Sequence, residues 1–186
     1  MGRVEQGIAA MTLWVFGYGS LLWNPEFDVA EQRLATLDGY HRAFSMRSIH
    51  HRGTQEDQGL VLALDKAAGA SCQGVALRAA DGTEQETLDG LRARELISSA
   101  YYEDTLRLTL DDGGQIDALA YVINRDHVQY AGGLPLEEQA QIIAHAVGQR
   151  GPNTEYLHNT WAHLMTLGIH DDDLAWLDAR VRQIKG

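Results

Sequence analysis

A glycine-rich segment, GYGSLL at residues 17–22, follows a short run of apolar and aromatic residues. Glycines and a small polar residue at a strand end let successive backbone N–H groups converge on an anion or a developing oxyanion. The segment is not a dinucleotide fingerprint, because the third glycine would fall at Leu22, and not a serine-hydrolase elbow, because Ser20 is not followed by x-Gly. It therefore indicates an anion-binding loop, with a tight turn of no chemical role as the alternative.

The pair Arg94-Glu95 is a second candidate for chemistry. It lies between a predicted helix and a strand-like stretch that starts near Tyr101. The Glu95 carboxylate could therefore project from the end of an element into a cleft. A solvated surface glutamate is the alternative, since most glutamates are exposed.

Histidines and a neighbouring arginine form a third candidate. The segment HHRGT at residues 50–54 places cationic and donor groups beside a turn, which suits a substrate carboxylate and equally an ordinary surface loop. The eight histidines include no HExxH or similar ligand set, and His158 and His163 are five residues apart, on different faces of a helix. We expect no metal site.

Short strands and a helical C-terminal third must position these residues. The strand candidates are residues 12–16, 60–64, 73–77, 102–110 and 115–122, the last two joined by the turn Asp112-Gly113-Gly114. They indicate a largely antiparallel sheet or small barrel in an α+β protein.

Three further patterns predict where helices begin. Thr83-Glu-Gln-Glu86 matches a capping box for a helix that carries Glu95 near its end. Pro135 suits a first-turn position, and Asn153 can cap the following helix. The last helix begins at residues 171–173 (DDD). We expect residues 1–11 to be a flexible N-terminus and residues 12–186 to form a single domain.

The charge of the chain limits its partners. The net charge is −11, and lysine occurs only at positions 66 and 185, which argues against a phosphate-coating surface and hence against nucleic acid as a partner. The same field repels a small anion at long range. An anionic substrate would therefore need local arginines or backbone N–H groups to hold it.

The cysteine content and the N-terminal sequence indicate a compartment. Cys72 is the one cysteine of the chain, so it can form neither an internal disulfide nor a thiolate metal cage, and a reducing compartment fits best. The N-terminus lacks a basic region before its apolar stretch, and that stretch is too short to span a membrane. We expect no membrane association and a cytoplasmic location.

Four segments, taken in order, carry a resemblance to a known family. They are residues 15–23 (VFGYGSLLW), 51–54 (HRGT), 94–95 (RE) and 151–157 (GPNTEYL). In this order the chain resembles the ChaC-like γ-glutamylcyclotransferases, the glutathione-specific branch of that family, over roughly residues 13–184. Each segment alone is common, whereas the four together at compatible spacing make a specific match.

The resemblance implies a compact, mostly antiparallel β-barrel flanked by helices, with no cofactor. It also implies that the family's catalytic glutamate corresponds to Glu95, because Glu84, Glu86 and Glu103 lack the adjacent arginine and the following strand. Arg52 and Tyr156 lie in family-like segments and are carried over as substrate-side or supporting residues. The loop that binds the γ-glutamyl group corresponds to Tyr18, Gly19, Ser20 and Leu21.

The sequence departs from the family pattern in two places. The family often has prolines after His-Arg-Gly-Thr, where this chain reads QEDQG at residues 55–59, and a glycine before the tyrosine after Arg-Glu, where it reads Ser99-Ala100. These departures affect loop shape and substrate preference more than the reaction.

The reaction that the resemblance implies needs neither metal nor cysteine. The α-amine of a γ-glutamyl group attacks its own γ-carbonyl, closes a five-membered lactam and expels an amine, with Glu95 transferring the proton. Such a base should be partly desolvated and should face a cavity floored by residues 18–21. Glutathione cleavage to 5-oxoproline and Cys-Gly is the leading hypothesis. The alternatives are other γ-glutamyl peptides or amines as substrates, and a non-catalytic module that binds small carboxylates.

Overall fold

The computed structural model of the protein describes residues 11–186. The predicted flexible N-terminus over residues 1–11 therefore lies, except for Met11, outside the described residues. Five strands close into a barrel in the order β1 (Trp14–Gly17), β3 (Gly59–Ala79), β2 (Val29–Ser48), β4 (Tyr101–Leu110) and β5 (Gln115–Ile123). The predicted α+β barrel is confirmed.

Most of the strand pairs in the barrel are antiparallel, as predicted. The pairs β1–β3, β2–β3, β2–β4 and β4–β5 are antiparallel, and the barrel is completed by short parallel contacts of β5 with β1 and with β3. The largely antiparallel arrangement therefore holds, with two parallel contacts that the strand pattern did not predict.

The longest hairpin of the barrel, β2–β3, differs most from the prediction. β2 was not predicted, and the two predicted strands at residues 60–64 and 73–77 are parts of the single strand β3. The pairing shifts between Asp38 and Tyr40 of β2, where their partners are Ser71 and Lys66 of β3. This irregularity interrupts the apolar pattern of β3, which is why the sequence indicates two strands there.

Four α-helices accompany the barrel: α1 (Glu84–Glu95), α2 (Leu136–His145), α3 (Asn153–Thr166) and α4 (Asp172–Lys185). A two-stranded turn, β6 (Val147–Gly148) and β7 (Gly151–Pro152), joins α2 to α3. No helix within residues 11–186 is both long and apolar enough to cross a membrane.

The two predicted helix caps are wrong, whereas the predicted start of the last helix at residues 171–173 is confirmed. The Thr83 side chain makes no cap; its hydroxyl donates to the carbonyl of Ala80 instead. Asn153 is the first residue of α3 rather than its cap. Its side-chain amide instead hydrogen-bonds to the backbone N–H and carbonyl of Leu60 on β3. Asp171 does cap α4, where its carboxylate accepts from the N–H of Leu174.

The core has three parts that share the barrel wall. Phe16 and Ala76 belong to the cluster inside the barrel, whereas Val75 and Leu77 belong to the cluster that packs α2, α3 and α4 against β3. Because successive side chains of a strand point to opposite faces, alternate residues of β3 pack in two different clusters. A third cluster packs α1 against β1 and β5.

A buried arginine connects the barrel to the helices. The Arg42 side chain is 3% exposed, and its guanidinium donates to the Tyr18 carbonyl at 2.9 Å, to the Gln73 carbonyl at 2.9 Å and to the Asp171 carboxylate at 3.0 Å. Its charge is paired and its donors are used in three directions, which is the condition for burying a guanidinium.

Replacing Arg42 should therefore destabilise the whole protein. In Arg42→Met the Tyr18 and Gln73 carbonyls and the Asp171 carboxylate lose their donor, so we expect the free energy of unfolding to fall by about 3 kcal/mol or more in urea titrations. The matched control is Arg107→Met, which removes an exposed ion pair with Asp117 and should change stability by less than about 1 kcal/mol. Equal stability of the two variants would contradict the role given to Arg42.

Candidate active site

A cavity of about 260 Å³ lies where four parts of the chain meet. These parts are the segment after β1, the hairpin loop between β2 and β3, the end of α1 with the residues that follow it, and the turn between β6 and β7. The sequence-predicted residues come together here. The cavity is lined by Tyr18, Gly19, Ser20, Leu21, Arg52, Glu95 and Tyr156.

The glycine-rich segment forms a bend followed by a single 3₁₀ turn at Ser20–Leu22. Within residues 11–186, the backbone N–H groups of Gly19, Ser20 and Leu21 have no hydrogen-bond acceptor. Three consecutive free donors at the wall of a cavity form the kind of nest that binds an anion or an oxyanion. This geometry favours the anion-binding interpretation over a turn of no chemical role.

Gly19 is placed by its neighbours on β3 and α3. A Cβ atom at this position would lie 3.3 Å from the Tyr156 hydroxyl and 3.5 Å from the Leu62 Cβ. The loop backbone therefore approaches the Tyr156 hydroxyl as closely as it does because residue 19 has no side chain.

Glu95 is the last residue of α1, and its side chain is 16% exposed. Burial raises the pKa of its carboxyl, and the nearby Glu26 adds to this, whereas Arg94 and Arg150 act in the opposite direction. The prediction that Glu95 is partly desolvated and faces a cavity floored by residues 18–21 is confirmed.

A second acid near α1 behaves in the opposite way. Glu103 on β4 is paired with Arg92 at 2.8 Å and accepts from the Tyr121 hydroxyl. The Arg92 hydrogen bonds lower the pKa of Glu103. Two carboxyl groups whose environments move their pKa values apart are suited to different tasks, and the one with the raised value is in the cavity.

Arg94 links Glu95 to the glycine-rich segment, a role that the sequence did not indicate. Its guanidinium lies 3.3 Å from the Glu95 carboxylate and donates to the Ser20 hydroxyl at 2.6 Å and to the Asn24 carbonyl at 2.8 Å. It also pairs with Glu26 at 3.2 Å. The acid and the free N–H groups are therefore held in one frame.

The hairpin loop reaches the cavity through a crossing of glycine backbones. A Cβ atom on Gly53 would lie 2.1 Å from the backbone nitrogen of Gly59, and one on Gly148 would lie 2.5 Å from the backbone nitrogen of Gly53. Neither contact can be relieved by moving a flexible side chain. Gly53, the glycine of His-Arg-Gly-Thr, thus lets the hairpin loop close tightly on itself, and Gly148 lets the β6–β7 turn pack against that loop backbone to backbone.

Arg52 is buried and supports this crossing more than it opens to the cavity. Its side chain is 6% exposed, donates to the Pro152 carbonyl at 3.1 Å and lies 3.5 Å from the Glu155 carboxylate. Its guanidinium carbon is 5.9 Å from the centroid of the Tyr156 ring. This geometry favours a supporting role over direct contact with a substrate.

Tyrosine hydroxyls surround the space beside Glu95. The Tyr156 oxygen accepts the N–H of Leu62, and the Tyr101 hydroxyl donates to the carbonyl of the same residue. Burial raises the pKa of Tyr156 to about 12 and raises that of Tyr101 well above its ordinary value. Both hydroxyls therefore stay protonated, and the Tyr156 hydrogen is free to donate into the cavity. Tyr101 was interpreted only as a strand residue, because its contact with β3 has no local signature.

The cavity is cationic although the protein is strongly anionic. Glu95 is the one acidic side chain on its wall among the described residues, whereas Arg52, Arg94, Arg150 and two histidines line it. Burial, and then the Arg150 charge, lower the pKa of His51, so the positive charge comes mainly from the arginines. The predicted need for local arginines is met.

Together, the barrel and its cavity define a small α+β barrel protein whose site combines a buried carboxylate, free backbone donors and arginines. The chain belongs to the ChaC-like protein family, whose model matches residues 13–184.

Relatives support this assignment over most of the chain. A protein of Escherichia coli (strain K12) named glutathione-specific gamma-glutamylcyclotransferase is 37% identical over 92% of this chain and 74% of its own length. An Arabidopsis thaliana protein named gamma-glutamylcyclotransferase 2-3 is 34% identical over 94% of this chain and 90% of its own. The crystal structure of a yeast gamma-glutamyl cyclotransferase specific to glutathione has the same fold, with a TM-score of 0.83 at 22% identity over 92% of this chain and 96% of that one.

The raised pKa of Glu95 predicts how stability depends on pH. A carboxyl whose pKa is higher in the folded than in the unfolded state favours folding below its ordinary value of 4.5, and this contribution is lost as the pH rises through the folded value. The variant Glu95→Gln cannot ionise, so at pH 7 it should be more stable than the parent protein. Each pKa unit is worth about 1.4 kcal/mol.

Urea unfolding between pH 4 and pH 8 measures this difference. We expect the gain of Glu95→Gln to vanish near pH 4, while the exposed control Glu86→Gln on the same helix shows no such trend. A difference that does not change with pH would contradict a desolvated Glu95.

The hydroxyl of Tyr156 should contribute to stability through β3. In Tyr156→Phe the buried N–H of Leu62 loses its acceptor, so we expect the free energy of unfolding to fall by about 1–3 kcal/mol. Tyr102→Phe, at a partly exposed position on β4, is the matched control and should be near neutral. Equal stability of the two variants would show that Leu62 finds another acceptor.

Proposed function

We propose that this protein is a lyase that cleaves glutathione to 5-oxoproline and Cys-Gly. The observation that carries the proposal is the placement of a desolvated carboxylate, Glu95, beside three free N–H groups in a cationic cavity. The names of relatives at 34–37% identity support the reaction, and those of the E. coli and animal relatives support the substrate.

The substrate brings its own nucleophile. The α-amine of the γ-glutamyl group attacks the γ-carbonyl carbon, a ring C–N bond forms, and the amide C–N bond to the leaving amine breaks. The site has to hold the folded substrate, stabilise the oxyanion and move protons from the attacking nitrogen to the departing one. The free N–H groups of Gly19, Ser20 and Leu21 suit either the oxyanion or the α-carboxylate.

Glu95 is suited to move these protons. The attacking ammonium loses two protons on its way to the lactam N–H, and Glu95 passes them one at a time to the departing nitrogen, which leaves as an ammonium, so the carboxylate is regenerated in each cycle. An α-ammonium has a pKa of about 8, well above that of an ordinary glutamate. The burial that raises the Glu95 pKa narrows this gap, and the protonated hydroxyl of Tyr156 adds a neutral donor nearby.

The domain organisation of the chain and its cellular compartment belong to the same proposal. We infer that residues 12–186 act as a single domain, that the site works without a cofactor, and that nucleic acid is not a partner, since the net charge is −11. A reducing, cytoplasmic setting agrees with Cys72, which is buried and free.

Turnover of glutathione tests the proposal. Purified protein should release 5-oxoproline and Cys-Gly in equal amounts by mass spectrometry, and Glu95→Gln should lower kcat by about 100-fold or more because the proton acceptor is gone. Glu86→Gln, which changes an exposed acid on the same helix, should keep the parent rate.

Two results would overturn the proposal. A parent protein that releases no 5-oxoproline is not this enzyme, and calorimetry that shows bound but intact glutathione would favour the non-catalytic carboxylate-binding module. A Glu95→Gln variant with full kcat would remove Glu95 from the reaction.

A further inference from the structure

The arginines of the cavity differ in how far their guanidinium groups are committed to the protein. The Arg94 side chain is 12% exposed. Its guanidinium donates to Ser20 and Asn24 and forms ion pairs with two carboxylates. The Arg52 side chain is 6% exposed. Its guanidinium donates to the Pro152 carbonyl and forms an ion pair with Glu155. All three guanidinium nitrogens of Arg94 contact protein groups, whereas Arg52 uses only its Nη1 but is almost fully buried.

Arg150 is different. Its side chain is 46% exposed at the cavity wall, and within residues 11–186 its guanidinium makes no hydrogen bond. Its one ion pair there is a long contact of 3.7 Å with Glu26, whose other carboxylate oxygen already pairs with Arg94 at 3.2 Å. The Arg150 guanidinium therefore has donors available for an incoming carboxylate.

The backbone under Arg150 is fixed although its side chain is not. The residue lies in the tight turn between β6 and β7, and its N–H donates to the His51 carbonyl at 2.9 Å. The N–H of Gln149 donates to the His50 carbonyl at 2.8 Å. The turn is thus tied to the hairpin loop, which holds the side chain at the cavity.

Arg150 lines the same cavity as Glu95 and His51. Its charge acts to lower the pKa of both groups, which agrees with that placement. The Cys-Gly leaving group is two residues long, so its terminal carboxylate reaches at most about 7 Å from the reacting carbonyl. A cation on the wall of the cavity that holds Glu95 suits that carboxylate.

We propose that Arg150 binds the carboxylate of the leaving group and thereby selects γ-glutamyl peptides that end in a free carboxylate over γ-glutamyl amines and amides. The inference rests on the proposed function and refines its substrate class. The net charge of −11 strengthens the argument, because an anion that the protein as a whole repels needs local donors or cations to hold it, and Arg150 is a cation with free donors.

A comparison of two substrates isolates this contact. Glutathione and its C-terminal amide, in which glycinamide replaces glycine, differ only in the charge that Arg150 would bind. For the parent protein we expect kcat/KM for glutathione to exceed that for the amide by about 10- to 100-fold, mainly through KM. In Arg150→Gln this ratio should fall to within about twofold, because kcat/KM drops for the acid.

The ratio also separates binding from an indirect effect on Glu95. Loss of the Arg150 charge alters the Glu95 pKa for both substrates alike, so it cancels in the ratio. Arg150→Lys should keep part of the discrimination, since it keeps the charge but loses the planar donor fork. Glu26→Gln should keep the full ratio, and so should the surface control Arg107→Gln.

The outcomes distinguish this inference from the proposed function. If the parent protein converts neither substrate, the proposed function fails. If it converts both equally well, or if Arg150→Gln keeps the parent ratio, the reaction stands and the role of Arg150 is wrong. An equal loss of kcat/KM for both substrates would make Arg150 a residue that only supports the turn.

Discussion

The Arg42 guanidinium joins three parts of the chain that are far apart in sequence. It binds the carbonyl of Tyr18 at the start of the glycine-rich segment, the carbonyl of Gln73 on β3 and the carboxylate of Asp171, which also caps α4. A buried charge must have all its partners in place, so the loop, the barrel and the last helix are positioned together. The orientation of the free N–H groups that follow Tyr18 depends on this arrangement.

The second constraint is a set of hydrogen bonds between side chains and the backbone of β3 beside the cavity. Both backbone groups of Leu62 are bound by tyrosine hydroxyls, the N–H by Tyr156 of α3 and the carbonyl by Tyr101 of β4. Two residues earlier, both backbone groups of Leu60 are bound by the Asn153 side chain. This end of β3 therefore pairs with side chains where a strand neighbour would otherwise bind. Tyr101 and Tyr156 also line the cavity, so the side chains that bind Leu62 give the wall polar groups that are buried.

Local patterns predicted the elements whose residues contact near neighbours in the chain. The β4–β5 hairpin follows from its turn residues, and α4 follows from its acidic start. β2 was missed because its sequence mixes buried Arg42 and Ser45 with apolar residues and carries a pairing shift at Gly39. The motifs predicted which residues gather at the cavity. They did not predict the roles of Arg42 and Tyr101, or the link that Arg94 makes between Glu95 and Ser20, because these contacts involve partners that only the closed barrel brings close.

The cavity balances two opposing effects on Glu95. Burial raises its proton affinity, and the Arg94 and Arg150 charges lower it, with burial the larger effect. Without the arginines the pKa of the carboxyl would be higher still, and without burial the carboxylate would be a weaker base toward an ammonium. The same arginines make the cavity attractive to an anion despite the charge of the whole chain. One set of cations thus limits the rise of the Glu95 pKa and offsets the repulsion of the substrate, so a change at either arginine alters binding and proton transfer together.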